Sequence, residues 1–202
     1  MGILLEADYK SVLSGKESPL AGLQRAFSAK STPNPLESDT VQRNPPTEAS
    51  QLTYENMNRD SAILLAKESA KEGVKAFGYI SAAGGAPILP SRYITTKREA
   101  ENVIAREFPG MRNIFFRAPF MYDSSRPFTM GLAAAAGAGS VAAKVLPGFV
   151  SQFMGSALVK PLQADAVAEA VVEGLSEEGV RGAVEVGKLE ELASRGWRKG
   201  ML

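Results

Sequence analysis

The sequence contains no cysteine and no histidine. The first absence excludes disulfides, thiolate metal sites and a cysteine nucleophile. The second excludes Ser-His-Asp catalysis and the zinc sites that depend on imidazole. Acid–base chemistry near neutral pH is left to tyrosine, lysine or carboxylates with shifted pKa values. An excess of one charge is also lacking: 23 basic side chains face 22 acidic ones, a net charge of +1. That balance calls for neither nucleic acid nor an anionic membrane as the main partner. The first residues, MGILLEADYK, carry Glu6 and Asp8 and show neither an Arg-rich amphipathic pattern nor a secretory apolar core, so no targeting peptide is read there. A long hydrophobic run is missing too. The longest weakly polar stretch, Met130 to Ala143, is short, rich in Gly and Ala, and closed by Lys144 and Pro147. It reads as a packed helix and not a transmembrane span, the alternative being a segment that rests on a membrane or a partner protein.

What is present is the composition of a soluble globular chain, with 45% hydrophobic and 22% charged residues over 202 positions. Residues 1–27 read as the start of an incomplete α/β region, with a strand end or short helix at 3–7. Residues 28–51, rich in Pro, Ser, Thr, Asn, Asp and Glu, read as a flexible insertion. From Tyr54 the apolar period becomes helical, with Met57, Ile63, Leu64, Leu65 and Ala70 as its stripe and Gly73 as its stop. VKAFGYIS (74–81) reads as a strand, and a Gly/Pro-containing loop follows it. A helix over 92–107 carries Ala100, Val103 and Ile104, and NIFFRAP (113–119) is the next strand, with Pro119 at its exit. QADAVAEAVVEGL is an amphipathic helix with Val167, Val171 and Leu175 on one side; GAVEV (182–186) is a strand and LEELASRGW a closing helix. The alternation predicts an α/β fold: a partial Rossmann-like, doubly wound, mostly parallel sheet with flanking helices. Residues 52–187 form its main body, which includes an Ala/Gly-rich segment at 129–160, and residues 188–202 form a terminal helix or tail.

The motif that carries chemistry is Tyr93-x-x-x-Lys97 in SRYITTK. Residues i and i+4 share a helix face, so the Lys97 ammonium is expected near the Tyr93 hydroxyl. A cation about 4 Å from a phenolate, at an effective dielectric near 20, favours it by roughly 4 kcal/mol. The expectation is therefore a Tyr93 pKa held below its usual value of about 10, suited to proton exchange with an alcohol or carbonyl. Ser81 ends the preceding strand, where open parallel sheets bind ligands, and its hydroxyl can donate to a developing oxyanion. The plainer readings are a turn-capping Ser81, a surface Tyr93–Lys97 pair on an ordinary helix, and Asn58 as a polar helix residue.

The order of Ser81, Tyr93-Ile-Thr-Thr-Lys97 and FFRAPFMYD resembles the short-chain dehydrogenase/reductase superfamily, of the extended or atypical, NAD-dependent epimerase/dehydratase-like kind. The resemblance covers about residues 52–187 and implies Ser81, Tyr93, Lys97 and Asn58 as the catalytic set. It implies Tyr93, Lys97, Arg117, Pro119 and Phe120 as cofactor contacts, with Tyr122 also matching the strand exit although Ala118 separates Arg117 from Pro119. The implied cofactor is NAD or NADP. GILLEADYK, NRDSAILLAKE, YISAAGG and the terminal WRKGML resemble more narrowly the fungal mitochondrial branch associated with coenzyme Q biosynthesis. That implies a protein on the matrix side of the inner membrane, a ubiquinone-synthesis complex as partner, a quinone-like substrate, and a role as redox enzyme or accessory factor.

One part of that pattern is absent: no Gly-x-Gly-x-x-Gly occurs in the sequence. That loop holds a dinucleotide's pyrophosphate on helix N-terminal amides. The chain reads as starting inside the domain, from an internal start at Met1 or a truncated reading frame. At roughly 30 residues per βαβ unit, on the order of 80 to 100 residues of cofactor-binding half are expected upstream. Whether the chain is an enzyme stays open on this reading, and it is expected to bind no cofactor by itself if the short form is natural. The rival from another class is a non-catalytic assembly or lipid-handling subunit of a respiratory or ubiquinone-synthesis complex. A sugar-nucleotide epimerase or dehydratase is a weaker third reading, since little chain remains after Pro119 for a sugar-binding domain.

Overall fold

A computed structural model describes residues 35–36, 53–84, 91–123 and 159–201. Most of the segments read as residues 1–51 and 129–160, including the 130–143 helix, lie outside these. The described residues are a mixed α/β structure with parallel strands flanked by helices, as the alternating pattern predicts. They fall in two compact units, one containing 53–73 and 91–108, the other 74–84, 109–123 and 159–201.

The first unit is helical. A π-helical turn, Glu55–Asp60, runs into α1, Ser61–Lys71, and α2 spans Ser91–Glu107. At the junction the Ser61 amide donates to the Asn56 carbonyl, one residue beyond the α spacing. Gly73 stops α1 as expected, with φ +71°, the left-handed conformation that glycine adopts freely. Ile63 and Ala66 are fully buried, but Leu64 and Leu65, expected on the same stripe, are 43% and 61% exposed. Four consecutive apolar residues, Ala62–Leu65, cannot all face one side of a helix with 3.6 residues per turn. On α2 the expected stripe holds at Ala100 and Ile104, both fully buried.

The second unit is built on a three-stranded parallel sheet of β1 (Ala76–Ala82), β2 (Arg112–Ala118) and β5 (Gly182–Val184), in the order β1-β2-β5. Two short parallel pieces, β3 (Met121–Tyr122) and β4 (Leu162–Gln163), form a separate pair that hydropathy alone did not predict. Two residues are too few to show a period. Helices α3 (Ala164–Ser176) and α4 (Val186–Gly200) complete the unit. Its core joins Ile114, Phe116 and Val184 from the sheet to Val167 and Ala170 of α3 and Leu189 and Leu192 of α4.

Phe116 explains two glycines in this core. A Cβ on Gly174 of α3 would stand 2.8 Å from its Cε1, and one on Gly78 of β1 would stand 3.2 Å from its Cε2. The ring fills the space that two missing side chains leave, so α3 approaches β2 closely. Arg112 holds the same helix at its C-terminal end. Its Nη1 donates to the carbonyls of Gly174, Glu177 and Val180 at 3.1, 2.8 and 3.0 Å, and its Nη2 to Leu175 at 2.7 Å. Gly174 and Leu175 are in the last turn, whose carbonyls a helix end leaves without intrahelical partners, and a cation there also complements the helix dipole.

Candidate functional site

Of the residues singled out in the sequence, Asn58, Tyr93 and Lys97 belong to the helical unit, and Ser81, Arg117, Pro119 and Phe120 to the sheet unit. The helical group is built on aromatic rings and buried charge. Tyr54 is fully buried, and its ring meets that of Tyr93 edge to face at 6.0 Å. The Arg92 guanidinium lies 5.5 Å from the Tyr54 ring centroid and is held from the other side by Glu55, with Nη2 to Oε1 at 2.6 Å and Nε to Oε1 at 3.1 Å. The Lys97 ammonium lies 5.7 Å from the Tyr93 ring centroid, within range of a cation–π contact. Asn58, in the π turn, is only 1% exposed.

The i, i+4 spacing sets the Lys97 ammonium against the Tyr93 ring, where a contact with the hydroxyl was expected, and the electrostatic consequence differs as well. Burial raises the Tyr93 pKa above 10, where a lowered value was expected. Burial also lowers Lys97 to about 8, an effect that Glu101 opposes and Arg98 reinforces. Desolvation disfavours the charged form of each group. At neutral pH the pair is a neutral phenol beside a destabilised ammonium.

In the sheet unit, Ser81 and Arg117 are register partners at the C-terminal ends of β1 and β2. Ser81 is buried at 3% exposure. Pro119 is buried and Phe120 half-buried, and the Phe120 carbonyl accepts the Leu162 amide at 3.0 Å. Arg117 Nη1 pairs with Glu185 Oε1 at 2.6 Å. The Arg117 guanidinium is engaged by Glu185, and Tyr93 holds its proton more tightly than a free phenol. Among the described residues no group of acidic side chains is arranged to hold a metal ion.

Sequence reasoning missed two features. The Glu55–Arg92 pair joins residues 37 apart, so its only sequence trace is that each stands beside a tyrosine. The other is a groove of about 830 Å³ between α3 and α4, lined by Asp165, Ala166 and Glu169 on one wall and Ala193, Trp197 and Arg198 on the other. Trp197, the only tryptophan, is 61% exposed there. Its isolation in the polar terminal stretch SRGWRKG was the available signal.

No protein-family model matches the chain. Over 139 residues the chain is 37% identical to MIOREX complex component 2 of Saccharomyces cerevisiae, an alignment that covers 62% of this chain and 47% of that protein. The chain thus spans about half the length of the curated relative it matches. That relative is named as a component of a complex, not as a dehydrogenase or a ubiquinone-synthesis protein. The expected place in the short-chain dehydrogenase/reductase superfamily, and in its coenzyme Q branch, is corrected on this finding. The expected role in ubiquinone biosynthesis, the quinone-like substrate, and the alternative as a respiratory or ubiquinone-synthesis subunit are corrected with it. The order of Ser81, Tyr93, Lys97 and Arg117 follows the strand–loop–helix–strand path of a parallel α/β fold, and such a path carries many functions.

Proposed function

We propose that this chain is a subunit of a mitochondrial protein assembly of the MIOREX kind, and that it works by holding partners in place. The observation that carries this reading is the 37% identity to MIOREX complex component 2. The surface of the sheet unit supports it: Val172, Trp197 and Met201 are 62%, 61% and 67% exposed. No helix among the described residues is long and apolar enough to cross a membrane, so any attachment through these residues is peripheral. In this reading Tyr93, Lys97 and Asn58 are structural, filling the helical unit together with Tyr54 and the Glu55–Arg92 pair.

The test is purification of the protein, tagged at its own locus, from mitochondria under gentle lysis. We expect it to sediment well ahead of a free monomer and to bring down the counterparts of the other MIOREX components. Recovery outside mitochondria, or as a free monomer with none of those proteins, would refute the proposal. Tyr93→Phe is expected to leave the assembly intact.

A further inference from the structure

We propose that the α3–α4 groove is the docking face of this subunit, and that it takes a protein segment presenting a lysine or arginine beside an apolar side chain. The inference rests on the assembly reading above and adds which face is used and the chemistry of what it binds.

The pattern of charge pairing on the two helices picks out the groove. Glu173 is bonded by Lys199, Glu190 by Lys160 at 3.5 Å, and Glu191 by Lys188 at 2.9 Å. Asp165 and Glu169 complete the carboxylates of α3 and α4, and among the described residues neither has a cationic partner; Asp165 accepts only the Gln163 side-chain amide, at 3.2 Å. Both unmatched carboxylates line the groove. They stand on one helix face, four residues apart, so one cationic side chain can reach both.

The opposite wall supplies the apolar half. Ala193 faces Ala166 of α3 and leaves space between the helices, and the exposed Trp197 borders it. The close approach is built in at Gly196, where a Cβ would stand 3.0 Å from Glu169 Oε2 and 3.3 Å from the Glu169 carbonyl oxygen. An exposed indole beside small residues is the arrangement in which an apolar anchor loses most water, and an indole face also attracts a cation. Arg198 lies at the rim with its Nε on the Ser194 carbonyl at 3.0 Å, and among the described residues no carboxylate holds it. The groove thus presents two anions on one wall and a cation on the other. Such a surface repels a phosphate backbone or an anionic membrane at Asp165 and Glu169, and it orients a peptide whose basic residue faces α3.

The experiment places a photo-crosslinking amino acid, p-benzoylphenylalanine, at the exposed Ser194 of the full natural protein in its own cells. After irradiation the cross-linked peptide is sequenced. We expect one protein segment with a Lys or Arg within a few residues of the cross-link. Its yield is expected to fall about tenfold or more in Asp165→Lys/Glu169→Lys, on the scale of losing an interface hot spot. Changing the partner's Lys or Arg to Glu is expected to restore it. Trp197→Ser, on an exposed side chain, is expected to lower the yield while leaving the melting temperature unchanged. Cross-links to lipid, nucleic acid or an acidic peptide would overturn the proposal, as would a yield indifferent to the charge reversal in a protein that still melts normally. If the charge-reversed variant still co-purifies with the assembly as the unaltered protein does, the docking face is wrong and the subunit reading stands. If the unaltered protein enters no assembly, the subunit reading itself fails.

Discussion

The two units keep water out by different means. In the sheet unit the interior is mainly apolar, with Ser81, Asn113 and Glu173 as its buried polar side chains: Ile114, Phe116, Leu189 and Leu192 are each fully buried, and the ring of Phe116 occupies space left by two glycines. In the helical unit Glu55, Arg59, Lys97 and Glu101 are all under a tenth exposed, among tyrosine rings and beside Ile63 and Ile104. Apolar burial stabilises roughly in proportion to area removed from water, about 25 cal/mol per Å². A buried ion pair has to recover its desolvation cost first, and it contributes geometry more reliably than stability. The sheet unit is therefore expected to suffer from lost volume, and the helical unit from lost partners.

The largest expected effect tests the apolar side. Phe116→Ala should cost about 4 kcal/mol in urea unfolding, because a fully buried ring leaves a cavity bounded by Gly78 and Gly174. The charged side breaks differently. Arg92→Met strands the buried Glu55 carboxylate and should cost about 3 kcal/mol, whereas Glu55→Met together with Arg92→Met should recover most of that loss. A double variant as unstable as the single one would show that the pair is worth more than its desolvation, and the contrast between the units would weaken. Gly174→Ala comes next. It presses a methyl against the Phe116 ring and should cost about 2 kcal/mol by overpacking, with no counterpart in the helical unit.

The smallest effect separates the units by pH. Lys97 has a folded pKa of about 8, below its ordinary 10.5, so between these values the unfolded chain binds the extra proton. Stability should therefore rise from pH 8 towards 10.5, and this gain is lost as pH falls through 8. Tyr93, with its pKa raised, acts in the opposite sense above pH 10, where the unfolded chain gives up a proton that the folded one keeps. Urea midpoints measured at pH 7 and pH 10 should show the rise in the natural protein and a clearly smaller one in Lys97→Met. Equal rises in both would remove Lys97 as the cause.

This difference between the units also explains what could be read from the sequence. Helices and strands of the sheet unit were legible because their apolar residues cluster: α3 shows the helical period, and β1, β2 and β5 are short apolar runs between turn residues, β2 being buried on both faces from Asn113 to Phe116. The helical unit hid its logic. Charged residues on a helix read as solvated, and nothing local at Glu55 and Arg92 shows that they meet across 37 positions. At Tyr93 and Lys97 the spacing put both residues on one helix face, but the ammonium lies against the ring and burial governs both protonation equilibria. Proximity follows from helix geometry, but a pKa follows from how deeply the finished fold buries the group. The order of Ser81, Tyr93 and Lys97 suggested a dehydrogenase because fold path and chemistry travel together in that superfamily, and here the path is present while the relative it is similar to is named as a complex component.

Arg112 has a consequence for how this chain can vary in length. Its guanidinium gathers carbonyls 62, 63, 65 and 68 residues further along, from Gly174 to Val180. The contact fixes the two ends of a long stretch of chain and places no demand on the route between them. Lengthening such a stretch is cheap, about 0.6 kcal/mol for each doubling of a flexible loop. Insertions and deletions between Tyr122 of β3 and Leu162 of β4 should thus accumulate over evolutionary time with little loss of fold. The same changes between Gly174 and Val180, where the carbonyls must converge on one side chain, should be selected against.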